Sequence, residues 1–288
     1  MVAKVEDWDA AGLQYSVEDG VAWLRLNRPH KRNAMDHYPA GAGPEGMGLR
    51  DALLAAIHEV SEDSAVKAAV ITGNGTVFSS GADITQPGGP FEIPEDRRRP
   101  APNVARDDGI LYGWARLMDA IWRSETPFIA AVNGMAAGGG CQLALACDLT
   151  IASEDAAFWE IFVRRNLPLE GGGAWILPRL VGLARAKEIA LFGEPLPAQK
   201  AADWGLINKC VPADQLEDAA REWALKLANL GAPAGGPKMG PDDGSAPDLS
   251  PRVGHIKSQL NLSLESTMYQ TFREEATLLA LMAGPPPH

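Results

Sequence analysis

Short apolar runs that end in glycine and lead into helices recur along this chain, and no other feature narrows its fold so sharply. "VAWLRLNR" (21–28) alternates apolar and polar positions as a half-exposed strand does, whereas "AAVITGNG" (68–75) and "PFIAAVNG" (127–134) are fuller apolar runs that also read as strands. Between the first two, "LRDALLAAIHEVSED" (49–63) repeats apolar residues at three- and four-residue steps, the pattern of an amphipathic helix. Further on, "GGGCQLALACD" (138–148) reads as a helix, "LTIASEDAAFWEI" (149–161) as a strand with its turn, and "GLARAKEIALFG" (182–193) as another helix. Alternating strand and helix predict an α/β architecture.

Two segments interrupt that rhythm. "DHYPAGAGPEGMG" (36–48) and the stretch 86–109 are rich in Pro, Gly and charge and read as long loops, either functional lids or surface excursions. A third such stretch, 231–252, separates the body from the helical sequence 256–284. The predicted organisation is a core over 12–230, a linker over 231–255 and a C-terminal helical region over 256–288. At 288 residues, one large domain with an appendage is expected rather than three modules, because single cores stop growing at roughly 250–300 residues.

The formal net charge of -11 opposes broad contact with nucleic acid or an anionic membrane, so a small ligand is the expected partner. The N-terminal "MVAKVEDWDAAG" lacks the apolar core of a signal peptide, and no uninterrupted apolar run reaches the ~18 residues of a membrane helix. A cytosolic protein is expected. Cys141, Cys147 and Cys210 have neither the even number of a disulfide framework nor CxxC spacing, and read as small apolar residues rather than metal ligands.

The glycines pose the functional question. "GNGTVFSSG" lacks the lysine and spacing of a P-loop, "GMAAGGG" does not give GxGxxG, and no GxSxG elbow occurs. What remains is a strand ending at Asn133-Gly134, then Gly138-Gly139-Gly140 opening a helix, where backbone N–H groups and the helix N-terminus favour an anion. "VFSSGADI" (77–84) is a second such place. If its amides meet those of the first, the two form a donor pair for a carbonyl oxygen gaining negative charge; the alternative is two unrelated tight turns.

"LNRPHKRNAM" (26–35), "FSSGADI" (78–84), "PFIAAVNGMAAGGGCQLALACDLTIAS" (127–153), "LPRLVG" (177–182) and "AADWGLINKCV" (201–211) together resemble the enoyl-CoA hydratase/isomerase, or crotonase, superfamily, in order over most of residues 12–230. The resemblance implies a ββα spiral core, a C-terminal helical trimerisation region, a homotrimer or a pair of stacked trimers, and an acyl-CoA thioester as ligand. No cofactor is implied beyond the coenzyme A that the substrate carries. It implies that the amides of Ala82 and Gly139 hold the thioester oxygen, with Ser80, Asp83, Ile84, Gly138 and Trp159 around them. Lys31 and Arg32 are then placed to meet coenzyme A phosphates, against the plainer reading of a solvated basic turn beside His30, and Arg28 is counted with them as a substrate-binding residue. Asp83 also reads as the cap of its turn and a following helix.

A hydratase of this superfamily uses two glutamates, and both are replaced. Gln142 stands at the first position and Phe162 at the second. An amide only hydrogen-bonds and a phenyl ring does not even do that, so two-glutamate hydration is not expected. Glu170, in "LPLEGGGAW", is the candidate replacement, at a position where dienoyl-CoA isomerases and chlorobenzoyl-CoA dehalogenases resembling this stretch carry an acting aspartate. As a base it would move a proton along the acyl chain; as a nucleophile it would attack the acyl portion. Apolar neighbours such as Phe162 and Trp175 would raise its pKa. A structural reading stands beside these, a helix-start carboxylate favoured by the dipole. The role of Glu160 stays open, since it shares a face with Phe162 only if the strand continues. Three functions follow: an acyl-CoA enzyme with Glu170 as acid/base, a catalytically silent acyl-CoA-binding trimer, and an RNA-binding relative that the acidic balance disfavours.

Overall fold

The inner apolar runs become parallel strands buried on both faces. The computed structural model describes residues 5–35, 47–85, 114–230 and 250–283. After a short helix α1 (Val5–Ala10), β1 (Leu13–Glu18) and β2 (Val21–Leu26) form an antiparallel hairpin in register Leu13 to Leu26. Its turn is Asp19-Gly20, with φ of 53° and 75°, the paired positive dihedrals of a type I′ hairpin. Helix α2 (Leu49–Glu62) leads to β3 (Ala68–Gly73), every residue of which is buried. Such a strand needs cover on both sides, and so reads as a continuous apolar run.

From β3 onward the chain repeats one unit. β3 is followed by β4 (Val77–Ser79) and later by α3 (Trp114–Arg123); β5 (Phe128–Val132) by β6 (Met135–Ala137) and α4 (Gly139–Ala146); β7 (Leu149–Ser153) by β8 (Ala157–Trp159) and α5 (Gly173–Phe192). The first strand of each pair enters a six-stranded sheet of order β1-β2-β3-β5-β7-β10, with β10 at Lys209–Val211. The second strand enters a four-stranded sheet, β4-β6-β8-β9, closed by β9 (Leu196–Pro197). This is the expected ββα spiral. α6 (Ala198–Trp204) precedes β10, and α7 (Leu216–Ala228) follows it.

The larger sheet has a core on each face. On one, Leu216, Ala219, Ala220 and Ala224 of α7 pack on Val21, Trp23, Val70, Ile129 and Ile151. On the other, the apolar stripe of α2, together with α3 and α4, fills the space between the sheets. α4 lies wholly inside, with all eight residues buried, so its first turn is fixed rigidly against both sheets.

Several boundaries differ from the sequence reading. The strand expected over 149–161 is two, because the chain turns at 154–156 and crosses to the other sheet. The helix expected over 182–193 is the second half of α5, which begins at Gly173 and breaks at Gly182 (φ 76°, ψ 161°). The C-terminal helices are α8 (Ser250–Ser263) and α9 (Met268–Ala283), so helix starts at Ser250, within the segment read as linker; Pro251 in a first turn is compatible with this. The loops expected at 36–48 and 86–109 fall almost wholly outside the described residues.

Candidate active site

Two bends meet at the edge of the smaller sheet. The first follows β4. Segment 28–35 holds it: Ser80 N donates to Arg32 O (3.0 Å), Met35 N to Gly81 O (2.8 Å) and Asp83 N to Met35 O (2.8 Å). Asn33, fully buried, donates from Nδ2 to Asn74 O and Val77 O, while Ser79 Oγ donates to Asn33 O. The second bend follows β6. Gly138 adopts φ 52°, ψ −122°, a conformation open in practice only to glycine, and its N–H donates to Trp159 O.

The bends touch. A Cβ on Gly81 would lie 2.9 Å from Gly139 N, and one on Gly140 would lie 2.7 Å from Ser79 Cβ, so glycine is what lets the backbones approach. Gly139 opens α4, and the first N–H groups of a helix have no intrahelical acceptor. Among the described residues, no hydrogen-bond acceptor takes the N–H of Ala82 or of Gly139. The Trp114 ring lies against Gly139, 2.6 Å from where a Cβ would stand, and walls the second bend.

The basic turn is partly engaged. Arg28 Nη2 lies 3.4 Å and Lys31 Nζ 3.7 Å from Asp83 Oδ2, and Lys31 also donates to Thr85 Oγ1 (2.7 Å). Asp83 Oδ1 accepts from Thr85 N and Oγ1, so Asp83 is the brace of its own turn, as expected; the helix it was expected to cap lies outside the described residues. Burial raises the Asp83 pKa, but the Thr85 hydrogen bonds and the Lys31 and Arg28 charges outweigh it and hold the group below its ordinary value. Arg32 is exposed and makes no side-chain hydrogen bond among the described residues. Ile84 is exposed, whereas the Trp159 indole N–H is taken by Gly193 O (2.7 Å).

The two positions of the missing glutamates sit differently. Phe162 is buried in a 3-10 turn (Ile161–Arg165), and β8 stops at Trp159, so the strand does not continue past Glu160. Glu160 therefore turns inward. Its carboxylate accepts from Gln142 Nε2 at 2.9 and 2.8 Å and from the Cys141 thiol, with 1% of the residue exposed. Burial pushes the Glu160 pKa up to about 7, against the lowering effect of the Cys141 and Gln142 hydrogen bonds. Alternation of side chains along an extended segment gave no sign of this pair, because the backbone leaves the extended form between the two residues.

Glu170 lies outside that pair and is exposed among the described residues. Its carbonyl accepts from Gly173 N (3.3 Å) across a turn in which Gly171 and Gly172 have φ of 63° and 88°. Desolvation raises its carboxyl pKa, while the charge of Arg50, at the start of α2, draws it down. Arg50 went unremarked in the sequence, since nothing local links position 50 to position 170.

The family model for enoyl-CoA hydratase/isomerase matches residues 16–234. The chain belongs to the enoyl-CoA hydratase/isomerase family. Among relatives, the "Probable enoyl-CoA hydratase" of Rhodobacter capsulatus is 35% identical over 218 residues, 76% of this chain and 74% of that protein. The 1,2-epoxyphenylacetyl-CoA isomerase of Escherichia coli is 34% identical over 212 residues, 74% of each chain. The 4-chlorobenzoyl coenzyme A dehalogenase-1 of an Arthrobacter species is also 34% identical, over 73% of this chain and 70% of its own. The crystal structure of an enoyl-CoA hydratase from Mycobacterium smegmatis superposes with a TM-score of 0.71 at 26% identity, covering 96% of this chain and 92% of that one. Membership of the enoyl-CoA hydratase/isomerase family thus covers the spiral core. Among the described residues, no helix is long and apolar enough to cross a membrane.

Proposed function

We propose that this protein processes an acyl-CoA thioester through its enolate, with the Ala82 and Gly139 amides as the oxyanion hole and Glu170 as the acid/base. The observation that carries this reading is the contact between the two bends, Gly81 against Gly139, which sets Ala82 and Gly139, whose N–H groups have no acceptor among the described residues, on neighbouring backbone at the start of α4. Donors fixed before reaction stabilise charge that develops on a thioester oxygen without reorganising. Glu170 carboxylate takes a proton from the acyl chain, the C–H electron pair moves into the thioester carbonyl, and the resulting oxyanion is held by the two amides. Returning the proton to a different carbon completes an isomerisation.

Hydration by a glutamate pair is not part of the proposal, since Gln142 is an amide committed to Glu160 and Phe162 is apolar. Dehalogenase-type attack by Glu170 is a weaker fit. Both roles start from the carboxylate, but desolvation, which raises the Glu170 pKa, strengthens it as a proton acceptor and so suits a group that picks up and returns a proton. Arg32 is the candidate contact for coenzyme A phosphate. The exposed apolar residues of α8 and α9 are the proposed seam of a trimer, alone or stacked in pairs.

The test uses β,γ-hexenoyl-CoA as probe. Glu170→Gln is expected to lower kcat for formation of the α,β isomer by about 10²–10⁴-fold, the usual cost of removing a general acid/base, while affinity for the thioester changes less than about threefold. Parent protein that binds the probe tightly, yet neither isomerises it nor exchanges its α-proton with solvent, would instead mark a silent acyl-CoA-binding protein.

A further inference from the structure

Glu160 and Gln142 take no part in the chemistry proposed above, yet they form the most deeply buried polar pair near it. Gln142 is fully buried, and its Nε2 donates to the Glu160 carboxylate, at 2.9 and 2.8 Å from the two oxygens. Its Oε1 has no donor among the described residues. A buried acceptor left alone is costly, on the order of 1–3 kcal/mol, so the carboxylate that fixes the other end of the amide determines how this side chain lies.

What Gln142 touches is the turn after Glu170. A Cβ on Gly171 would stand 3.1 Å from Gln142 Cγ and 3.2 Å from its Cβ. One on Gly173 would stand 3.1 Å from Gln142 Cδ and would collide with Nε2. The glycine turn is thus packed directly on the Gln142 side chain, along its stem at Gly171 and against its amide at Gly173. Gly171 and Gly172 both hold left-handed φ, so this turn has little intrinsic preference for the conformation that aims Glu170. Something outside must supply it, and Gln142 is what lies there.

We propose that Glu160 is a positioning residue for Glu170, acting through Gln142: it locks the amide on which the Gly171–Gly173 turn rests. The inference depends on Glu170 being the acid/base. The Cys141 thiol is the other titratable group facing Glu160; burial and the charge of Glu160 hold that thiol far above its ordinary pKa, so it stays neutral.

The experiment is a double-mutant cycle on the full chain, with β,γ-hexenoyl-CoA as substrate. Glu160→Ala frees the Gln142 amide and is expected to lower kcat roughly 10–100-fold with KM within about threefold, as displacement of a catalytic group by about 1 Å does. Glu160→Gln keeps the length of the side chain and an acceptor for Gln142 Nε2, so it should recover most of that loss. Introduced into Glu170→Gln, Glu160→Ala should cost nothing further, because there is no longer an acting carboxylate to misplace. Losses that multiply in the double variant, a rise in KM at constant kcat, or parent-like kcat in Glu160→Ala would overturn the inference. If Glu170→Gln alone leaves kcat intact, the reading of Glu170 fails instead, which keeps the two outcomes apart. Should Glu160→Ala not fold, Glu160→Asp draws the carboxylate back by one methylene and serves the same cycle with the same expectations.

Discussion

At the scale of single residues, the buried Glu160 carboxyl makes stability depend on pH. Its folded pKa of about 7 lies above the ordinary glutamate value of 4.5, so between these limits the native protein holds a proton that the unfolded chain has released. The stability this provides is complete below pH 4.5 and is lost as pH rises through 7, about 3 kcal/mol in all. Thermal melts from pH 5 to pH 8.5 should therefore show a falling Tm in the parent and a flatter course in Glu160→Gln, whose amide does not ionise. Parallel courses would mean that Glu160 ionises as it does in water. Part of the local geometry was legible: the glycines around Ala82 and Gly139 mark two bends that the fold brings into contact. Glu160 was not, because its inward turn depends on β8 ending at Trp159, and a strand end has no mark in "FWEIF". Arg28 and Lys31, expected at the substrate, lie beside Asp83, in ion pairs that form between segments about 50 residues apart in sequence and leave no local trace.

Among the elements, α5 carries the most stored conformational constraint. Gly182 interrupts it at φ 76°, ψ 161°, a region that costs a residue with a Cβ about 1–3 kcal/mol, and Pro178 sits one turn earlier. Among the described residues, no atom lies within 4 Å of where that Cβ would be. Gly182→Ala should then destabilise the protein by about 1–3 kcal/mol in urea unfolding through the backbone alone, and a neutral result would show that the break relaxes. The periodicity of "GLARAKEIALFG" revealed only the half of α5 beyond this break, since the first half opens on glycine and contains proline. The β1–β2 hairpin, by contrast, was announced by Asp19-Gly20, a turn dipeptide that the alternation beginning at Val21 overshadowed. Parallel strands β3 and β5 were plain in the sequence because burial on both faces leaves no polar positions to confuse the pattern.

For the molecule as a whole, the C-terminal helices expose Ile256, Leu260, Leu262, Leu264, Met268, Tyr269 and Phe272, several with more than half their surface in contact with solvent (Leu260 64%, Met268 73%, Tyr269 71%). These exposed apolar side chains are what the proposed trimer seam would cover. Under the proposed assembly, light scattering should give the mass of three or six chains, and Tyr269→Asp with Phe272→Asp together should give monomers; a parent protein that is already monomeric would remove the trimer from the account. Composition could not foretell this face, because apolar residues in a helix look alike whether they meet their own core or a neighbour's. The same helices are tied back to the spiral through α8, where Asn261 Nδ2 donates to Trp122 O (3.0 Å) and Lys257 reaches further in. Lys257 Nζ, with 5% of the side chain exposed, lies 2.8 Å from Asp148 Oδ2 and donates to the carbonyls of Ile121 and Thr126. Asp148 in turn accepts from Phe128 N, at the start of a central strand. A chain cut before Ser250 would therefore take away the cation that Asp148 faces, so the helical region contributes to the electrostatic balance of the spiral as well as to its outer surface.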